Sequence, residues 1–214
     1  MPENRLYFLG ERNYIQGATV LKFTLESIQK ELDTSNLTEF RVCRFKQVRE
    51  ANSLLAILPA DRREPVGSLR ASISVDIRGQ ISNYNTIALP EPCTERRLEV
   101  SCRQDGYKEY GEGEARAHLG YANDFWDLLR EAVQVTKVFH INKYNRDRRF
   151  RFVVGGFEQL SYFEPAENES FDIKTRIVQS TAMGSNIYNY MKTSMTSANK
   201  EESFLLAFIG KLIS

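Results

Sequence analysis

Asn123-Asp124-Phe125-Trp126-Asp127-Leu128-Leu129-Arg130-Glu131-Ala132-Val133-Gln134-Val135-Thr136-Lys137-Val138-Phe139 is the stretch that decides how this chain is read. Phe125, Leu128, Leu129, Ala132, Val135, Thr136 and Phe139 recur at helical spacing, and Asn123 stands where a cap belongs. A helix over 124–139 follows. Downstream come four β-prone runs, 150–163, 170–179, 187–196 and 203–212. In the second of them Phe171, Ile173 and Ile177 alternate with Asp172, Lys174 and Arg176, the period-two pattern of a half-buried strand. Pro165, Gly184 and Ser197-Ala198-Asn199-Lys200 supply the turns.

Working upstream, the same plan recurs. Val20, Leu21, Leu25, Ile28 and Leu32 give a helix over 15–32, ended by the turn-forming Asp33-Thr34-Ser35-Asn36. Phe40, Val42 and Phe45 open a β-prone run. Leu69, Ala71, Ile73, Val75 and Ile77 alternate with Arg70, Ser72, Ser74, Asp76 and Arg78. Gly79 allows a turn, and 81–89 is a further strand. Leu89-Pro90-Glu91-Pro92 breaks the chain near its midpoint, giving halves 1–90 and 91–214. The second half opens with a strand over 97–102 and a loop or turn over 106–113. Thr24-Leu25-Glu26-Ser27-Ile28-Gln29 can be laid over Leu129-Arg130-Glu131-Ala132-Val133-Gln134, which sets Glu26 on Glu131 and suggests a duplication.

Composition narrows the classes. The chain has 214 residues, enough for one large domain or two small ones. Its 29 Lys and Arg nearly balance 28 Asp and Glu, so no basic field attracts nucleic acid or acidic lipid. Arg146, Arg148, Arg149 and Arg151 are the local exception and read as a solvated loop and strand edge. No apolar run approaches the roughly 20 residues that span a bilayer, and 1–10 lacks the order of a signal peptide. Cys43, Cys93 and Cys102 show no metal spacing. A reduced, cytoplasmic, metal-free protein is expected. Neither Gly111-Glu112-Gly113 nor Gly155-Gly156 fits a phosphate loop.

The second half resembles a hotdog-fold domain, most specifically the 3-hydroxyacyl-[acyl-carrier-protein] dehydratases. The resemblance rests on Leu129-Arg130-Glu131-Ala132-Val133-Gln134 as the central-helix pattern, and on His118 at the family's interval before it. It also rests on Phe157-Glu158-Gln159-Leu160-Ser161-Tyr162-Phe163-Glu164-Pro165 as the strand running into an aromatic and a proline. It spans roughly 98–214. The family's Gly- and Pro-rich segment before the helix is reduced to Gly120, and its Pro-Gly-Asp turn is replaced by Ala166-Glu167-Asn168-Glu169. With the first half, the resemblance implies an α+β double hotdog, two long central helices each wrapped by an antiparallel sheet. The helix region is similar, more weakly, to the A-factor biosynthesis family.

What the resemblance implies chemically is a 3-hydroxyacyl thioester dehydratase, a lyase of fatty acid or polyketide metabolism. A histidine takes the α-proton, and a carboxyl group protonates the departing hydroxyl. Backbone N–H groups at a helix start hold the thioester carbonyl. Dehydratases draw the histidine and acid of one site from opposite subunits. His118 would therefore face Glu26, while Glu131 would face Asn13, which cannot act as a base; one site is live and one lapsed. Gly120, Asn123, Asp124, Trp126 and Asn13 would line the substrate. His140, at the helix end where a cation complements the dipole, reads as structural. No cofactor is implied beyond the substrate's carrier, coenzyme A or the phosphopantetheine of an acyl carrier protein. Expected partners are the acyl thioester, the carrier protein and a second chain in a homodimer of double hotdogs, with no nucleic acid and no membrane. A hotdog thioesterase, using a helix carboxylate such as Asp124 or Glu131, is the first alternative. A catalytically lapsed acyl-binding or interaction hotdog is the second.

Overall fold

The computed structural model describes residues 8–9, 16–34, 36–94, 96–97, 104–110, 113–144 and 150–212. The chain forms two compact units, Met1–Ser101 and Cys102–Ser214.

In the first unit, helix α1 (Gly17–Glu31) stops where its residues dictate. Asp33 takes a left-handed φ of 49°. Its N–H then donates to Lys30 O and that of Thr34 to Gln29 O, the paired bonds that satisfy the last carbonyls of a helix. After a short 3-10 turn, Leu37–Glu39, come β2 (Phe40–Gln47), β3 (Ser53–Pro59), β4 (Leu69–Ile77) and β5 (Gln80–Pro92). They lie antiparallel in the order β3-β5-β4-β2. β4 and β5 join through a two-residue turn in which Arg78 (φ 53°) and Gly79 (φ 85°) both take positive φ, the backbone that matches strand twist. Asp76 Oδ1 accepts from Gly79 N at 2.7 Å. Two-residue strands β1 (Phe8–Leu9) and β6 (Arg96–Arg97) pair in parallel. Val20, Leu21, Leu25 and Ile28 of α1 are buried, as are Phe40, Val42, Phe45, Ile73 and Val75 of the sheet. A buried hydroxyl pair, Thr24 with Thr86 at 2.8 Å, ties α1 to β5.

The second unit holds β7 (Gln104–Tyr110), β8 (Glu114–Leu119), α2 (Phe125–Tyr144), β9 (Phe150–Ser161), β10 (Phe171–Met183), β11 (Asn186–Thr196) and β12 (Glu201–Leu212). The order is β9-β12-β11-β10-β8-β7, antiparallel throughout. One face of this sheet packs on α2. Phe125, Leu128, Leu129, Ala132, Val135 and Phe139 meet a layer that includes Phe157, Phe171, Ile173, Met191 and Phe204, all buried. Each fully buried side chain of this kind contributes about 1.5–3 kcal/mol. Thr136 donates to Ala132 O at 2.9 Å, lies 3.2 Å from Thr175, and Thr175 lies 3.1 Å from Thr193. This chain of hydroxyls fixes which sheet face looks at the helix.

The expected fold class needs correction. The ten longer strands belong to one antiparallel sheet, not to two separate ones, and the described residues hold two α-helices of unequal length, 15 and 20 residues. The fold is hotdog-like without two long central helices each wrapped by its own sheet. Period-two patterning tells which side chains of a strand are buried, but it carries no record of the neighbouring strand, so the number of sheets cannot be read from it. The helix overlay shifts as well. Burial matches when Leu25 lies on Leu129 and Ile28 on Ala132, one residue away from the register that sets Glu26 on Glu131. Leu89-Pro90-Glu91-Pro92 is the end of β5. Of the expected strand over 97–102, residues 98–102 lie outside the described residues, and 106–110 of the expected loop or turn belong to β7.

Candidate functional site

The site is built by two alternating strands in register. In β8, Ala115, Ala117 and Leu119 are buried against the helix side, which leaves Glu114, Arg116 and His118 on the other face. In β10, Phe171, Ile173 and Thr175 face inward and Asp172, Lys174 and Arg176 outward. The ladder sets His118 opposite Asp172 and Arg116 opposite Lys174. Facing residues of an antiparallel pair come close enough to interact directly. His118 Nδ1 lies 2.9 Å from Asp172 Oδ1. An ionised carboxylate only accepts, so Nδ1 is the donor in this pair. Among the described residues Nε2 has no hydrogen-bond partner.

Beside this pair, Glu114 accepts from Arg116 Nε at 2.8 Å and stands 3.0 Å from Lys174 Nζ. Partial burial pulls the Glu114 carboxyl up, but the hydrogen bonds and charges of Lys174 and Arg116 outweigh it and hold the group below the usual carboxylate range. A cleft of about 530 Å³ opens over these strands, lined by His118, Asp172, Arg116, Lys174, Lys108 and Glu201 among others. Ser194 and Thr196 bring hydroxyls to it from β11. Asp172 faces Thr196, which in turn faces Glu201, so the histidine and three polar groups form one row across four strands.

The other expected site residues lie elsewhere. Glu131 is buried at 2% exposure on α2, and α2 packs on the face opposite His118. The structure does not bring these two together. Glu26 belongs to the first unit, where its Oε1 is 3.8 Å from Lys22 Nζ. Asn13 lies outside the described residues. Gly120 is exposed between β8 and α2. Asp124, rather than Asn123, is the cap of α2, its Oδ1 accepting from Asp127 N at 2.6 Å. Asp127 in turn accepts from Asn123 N at 3.0 Å and from Asn123 Nδ2 at 2.9 Å, and pairs with Arg130. Those two N–H groups at the helix start are thus engaged by the chain's own carboxylates. Trp126 is half-buried, with Phe125 at 5.3 Å and Tyr162 at 6.0 Å between ring centroids.

His140 is structural, but not as a cation. It has no exposed surface, and its ring stacks on Phe208 at 4.9 Å. Burial pushes it down to about 4, so it is neutral at pH 7. Asp172, Lys174 and Arg116 line the same cleft as His118 and are not among the residues the sequence points to. Their outward alternation is visible in the sequence; their register with His118 is not. No group of three or more potential metal ligands occurs among the described residues, and none of their helices is long and apolar enough to cross a membrane.

No protein-family model matches the sequence, and no curated protein matches it either. Solved structures do match. A monomeric dehydratase domain from a trans AT polyketide synthase split module is 11% identical, with 94% of this chain and 91% of that one covered at a TM-score of 0.52. The dehydratase domain of PpsC from Mycobacterium tuberculosis, in complex with C12:1-CoA, is 11% identical over 94% and 85% at 0.53. A putative thioesterase II from Thermobifida fusca is 10% identical over 96% and 89% at 0.51. The class is thereby defined: this chain has a hotdog-type fold. Within that class, its likeness extends to polyketide synthase dehydratase domains over nearly its whole length.

Proposed function

We propose that this protein acts on acyl thioesters by a dehydratase-type reaction, with His118 as the acid–base group. The observation that carries the reading is the His118–Asp172 pair, 2.9 Å apart beside the cleft. Asp172 holds the imidazole in the tautomer whose Nε2 can accept a proton, and its charge stabilises the imidazolium that forms. Nε2 takes the α-proton of a 3-hydroxyacyl thioester and returns it to the departing hydroxyl. The Cα–H and Cβ–O bonds break, the carbon–carbon double bond forms, and water leaves. Lys108, Arg116 and Lys174 offer cations to the enolate oxygen or to the phosphate of the carrier, coenzyme A or an acyl carrier protein. The fold likeness to dehydratase domains, one of them in complex with C12:1-CoA, supports the same substrate class.

A non-catalytic acyl-binding or interaction role is the second reading. One observation favours it: the engagement of the Asn123 and Asp127 N–H groups by carboxylates.

Mass spectrometry of a 3-hydroxyacyl thioester panel separates the readings. Dehydration or hydration by wild type that falls about 10²–10⁴-fold in His118→Ala is expected. Release of free acid, unchanged in His118→Ala, points instead to a thioesterase. Unchanged substrates, with an acyl chain retained on the protein, establish the second reading.

A further inference from the structure

The outer edge of β10 changes character at Ile177. From Phe171 to Arg176 that edge is paired with β8, and Ile177 N donates to Gly113 O at 2.9 Å. A bulge follows between Ile177 and Gln179, after which the strand pairs with β11 alone as far as Met183. Among the described residues no strand takes up the other side of 178–183. Every residue there is exposed, with Val178 at 56% and Met183 at 63%.

Exposed edges are usually blunted by charge, proline or a break in pairing. β7, which closes the same sheet beside β8, carries Lys108 and Glu109 and a register break between Asp105 and Lys108. The run Val178-Gln179-Ser180-Thr181-Ala182-Met183 has neither charge nor proline. Among the described residues, what protects it is the bulge at its start.

We propose that this edge takes the identical edge of a second copy of the chain, antiparallel about a twofold axis through Thr181. The register follows from symmetry. A twofold axis normal to the sheet sets opposite one another only residues that point to the same face of their strand. Centring on Thr181 satisfies this and leaves the bulged Val178 outside the ladder. Thr181 then faces its own counterpart, Ser180 faces Ala182, and Gln179 faces Met183. Facing threonines suit a cross-strand hydrogen bond, and no like charges meet. The exposed Met183 gains the Gln179 stem as cover. Five residues a side is far below the roughly 20–30 of a stable interface, so the dimer is a weak one that forms as concentration rises.

Sedimentation velocity of the full chain from ~10 μM to ~1 mM tests this. Wild type is expected to pass from the mass of one chain to that of two. Thr181→Lys and Thr181→Glu each place like charges face to face on the axis and should remain single chains throughout. An equimolar mixture of the two restores opposite charges and should recover the doubled mass. A wild type that stays a single chain at every concentration overturns the proposal. So does dimerisation of both variants alone at wild-type concentrations, since the contact would then lie elsewhere. Thr181 is exposed, and unchanged far-ultraviolet circular dichroism of both variants verifies that only the edge has been altered.

Discussion

Replacing His140 with phenylalanine is expected to remove an acid sensitivity that the wild-type chain carries in its second unit. The imidazole has no exposed surface. Its Nδ1 donates to Thr136 O at 2.7 Å, while Nε2 is buried without a hydrogen-bond partner among the described residues. Phe208 and Phe152 lie at 4.9 and 5.2 Å between ring centroids. Burial among these rings pushes the group down from 6.5 to about 4; the Thr136 bond opposes the drop, and the Lys143 charge adds to it. Once unfolded, the same histidine binds a proton near its ordinary value. As pH falls below 6.5 the unfolded chain therefore gains a proton that the folded chain refuses, and stability falls until about pH 4. At about 1.4 kcal/mol per pH unit the full loss is about 3 kcal/mol, of which about 2 kcal/mol falls between pH 7 and 4.5.

Urea unfolding measures this directly. The chain's single tryptophan, Trp126, stands on the same helix as His140, so its fluorescence reports the unit concerned. Between pH 7 and pH 4.5 wild type should lose about 2 kcal/mol more than His140→Phe. Any packing cost of the larger ring is the same at both pH values and cancels in the comparison. Equal losses in the two proteins would refute the reasoning, because the buried imidazole would then be taking up its proton in the folded state as easily as in the unfolded.

Other substitutions test other parts of the argument. Asp124→Ala removes the acceptor of the Asp127 N–H and should cost about 1 kcal/mol by the same fluorescence assay. Gly210→Ala places a Cβ 2.7 Å from Phe152 Cε1 and should cost about 1–3 kcal/mol through overpacking, seen as a lowered thermal midpoint. Thr136→Val keeps the shape but removes the hydroxyl that reaches Thr175, for a loss of about 1 kcal/mol in urea. If the proposed chemistry holds, Asp172→Asn should lower kcat with little change in KM. An amide can donate to Nδ1, which moves the proton onto Nε2 and removes the base.

Much of the local structure was legible. The apolar rows of both helices, the end of the first at Asp33 and the alternation of β4 and β10 follow from periodicity and turn chemistry, and the structure keeps them. What failed was whatever depends on neighbours in space. Gly106 suggested a loop, yet 104–110 pair with β8, because a glycine at positive φ can sit at a register break within a ladder. Laying Glu26 on Glu131 used identity and ignored burial phase, which differs by one residue. At the candidate site, the expectation of His118 rests on its position before the helix. Asp172 is not expected from the sequence, since 54 residues separate the two and only the register of β8 on β10 joins them.

That register also decides what His118 can do. Side chains on a strand alternate, so moving His118 to the face of Glu131 would require a one-residue slip of β8. The slip would bury Glu114 and Arg116 under α2 and expose Ala115, Ala117 and Leu119. Both changes are unfavourable, the first strongly, since a buried charge without its partner costs several kcal/mol. His118 is therefore fixed on the face away from the helix by the residues around it. Within the second unit, the groups that can share a substrate with it are the outward-facing ones: Asp172 and Lys174 beside it, Thr196 and Glu201 further along the cleft. Glu131 has to be accounted for by the packing of α2. If the proposed dehydration holds, it runs from this face and uses the histidine for both halves of the proton's journey, with Asp172 holding the ring.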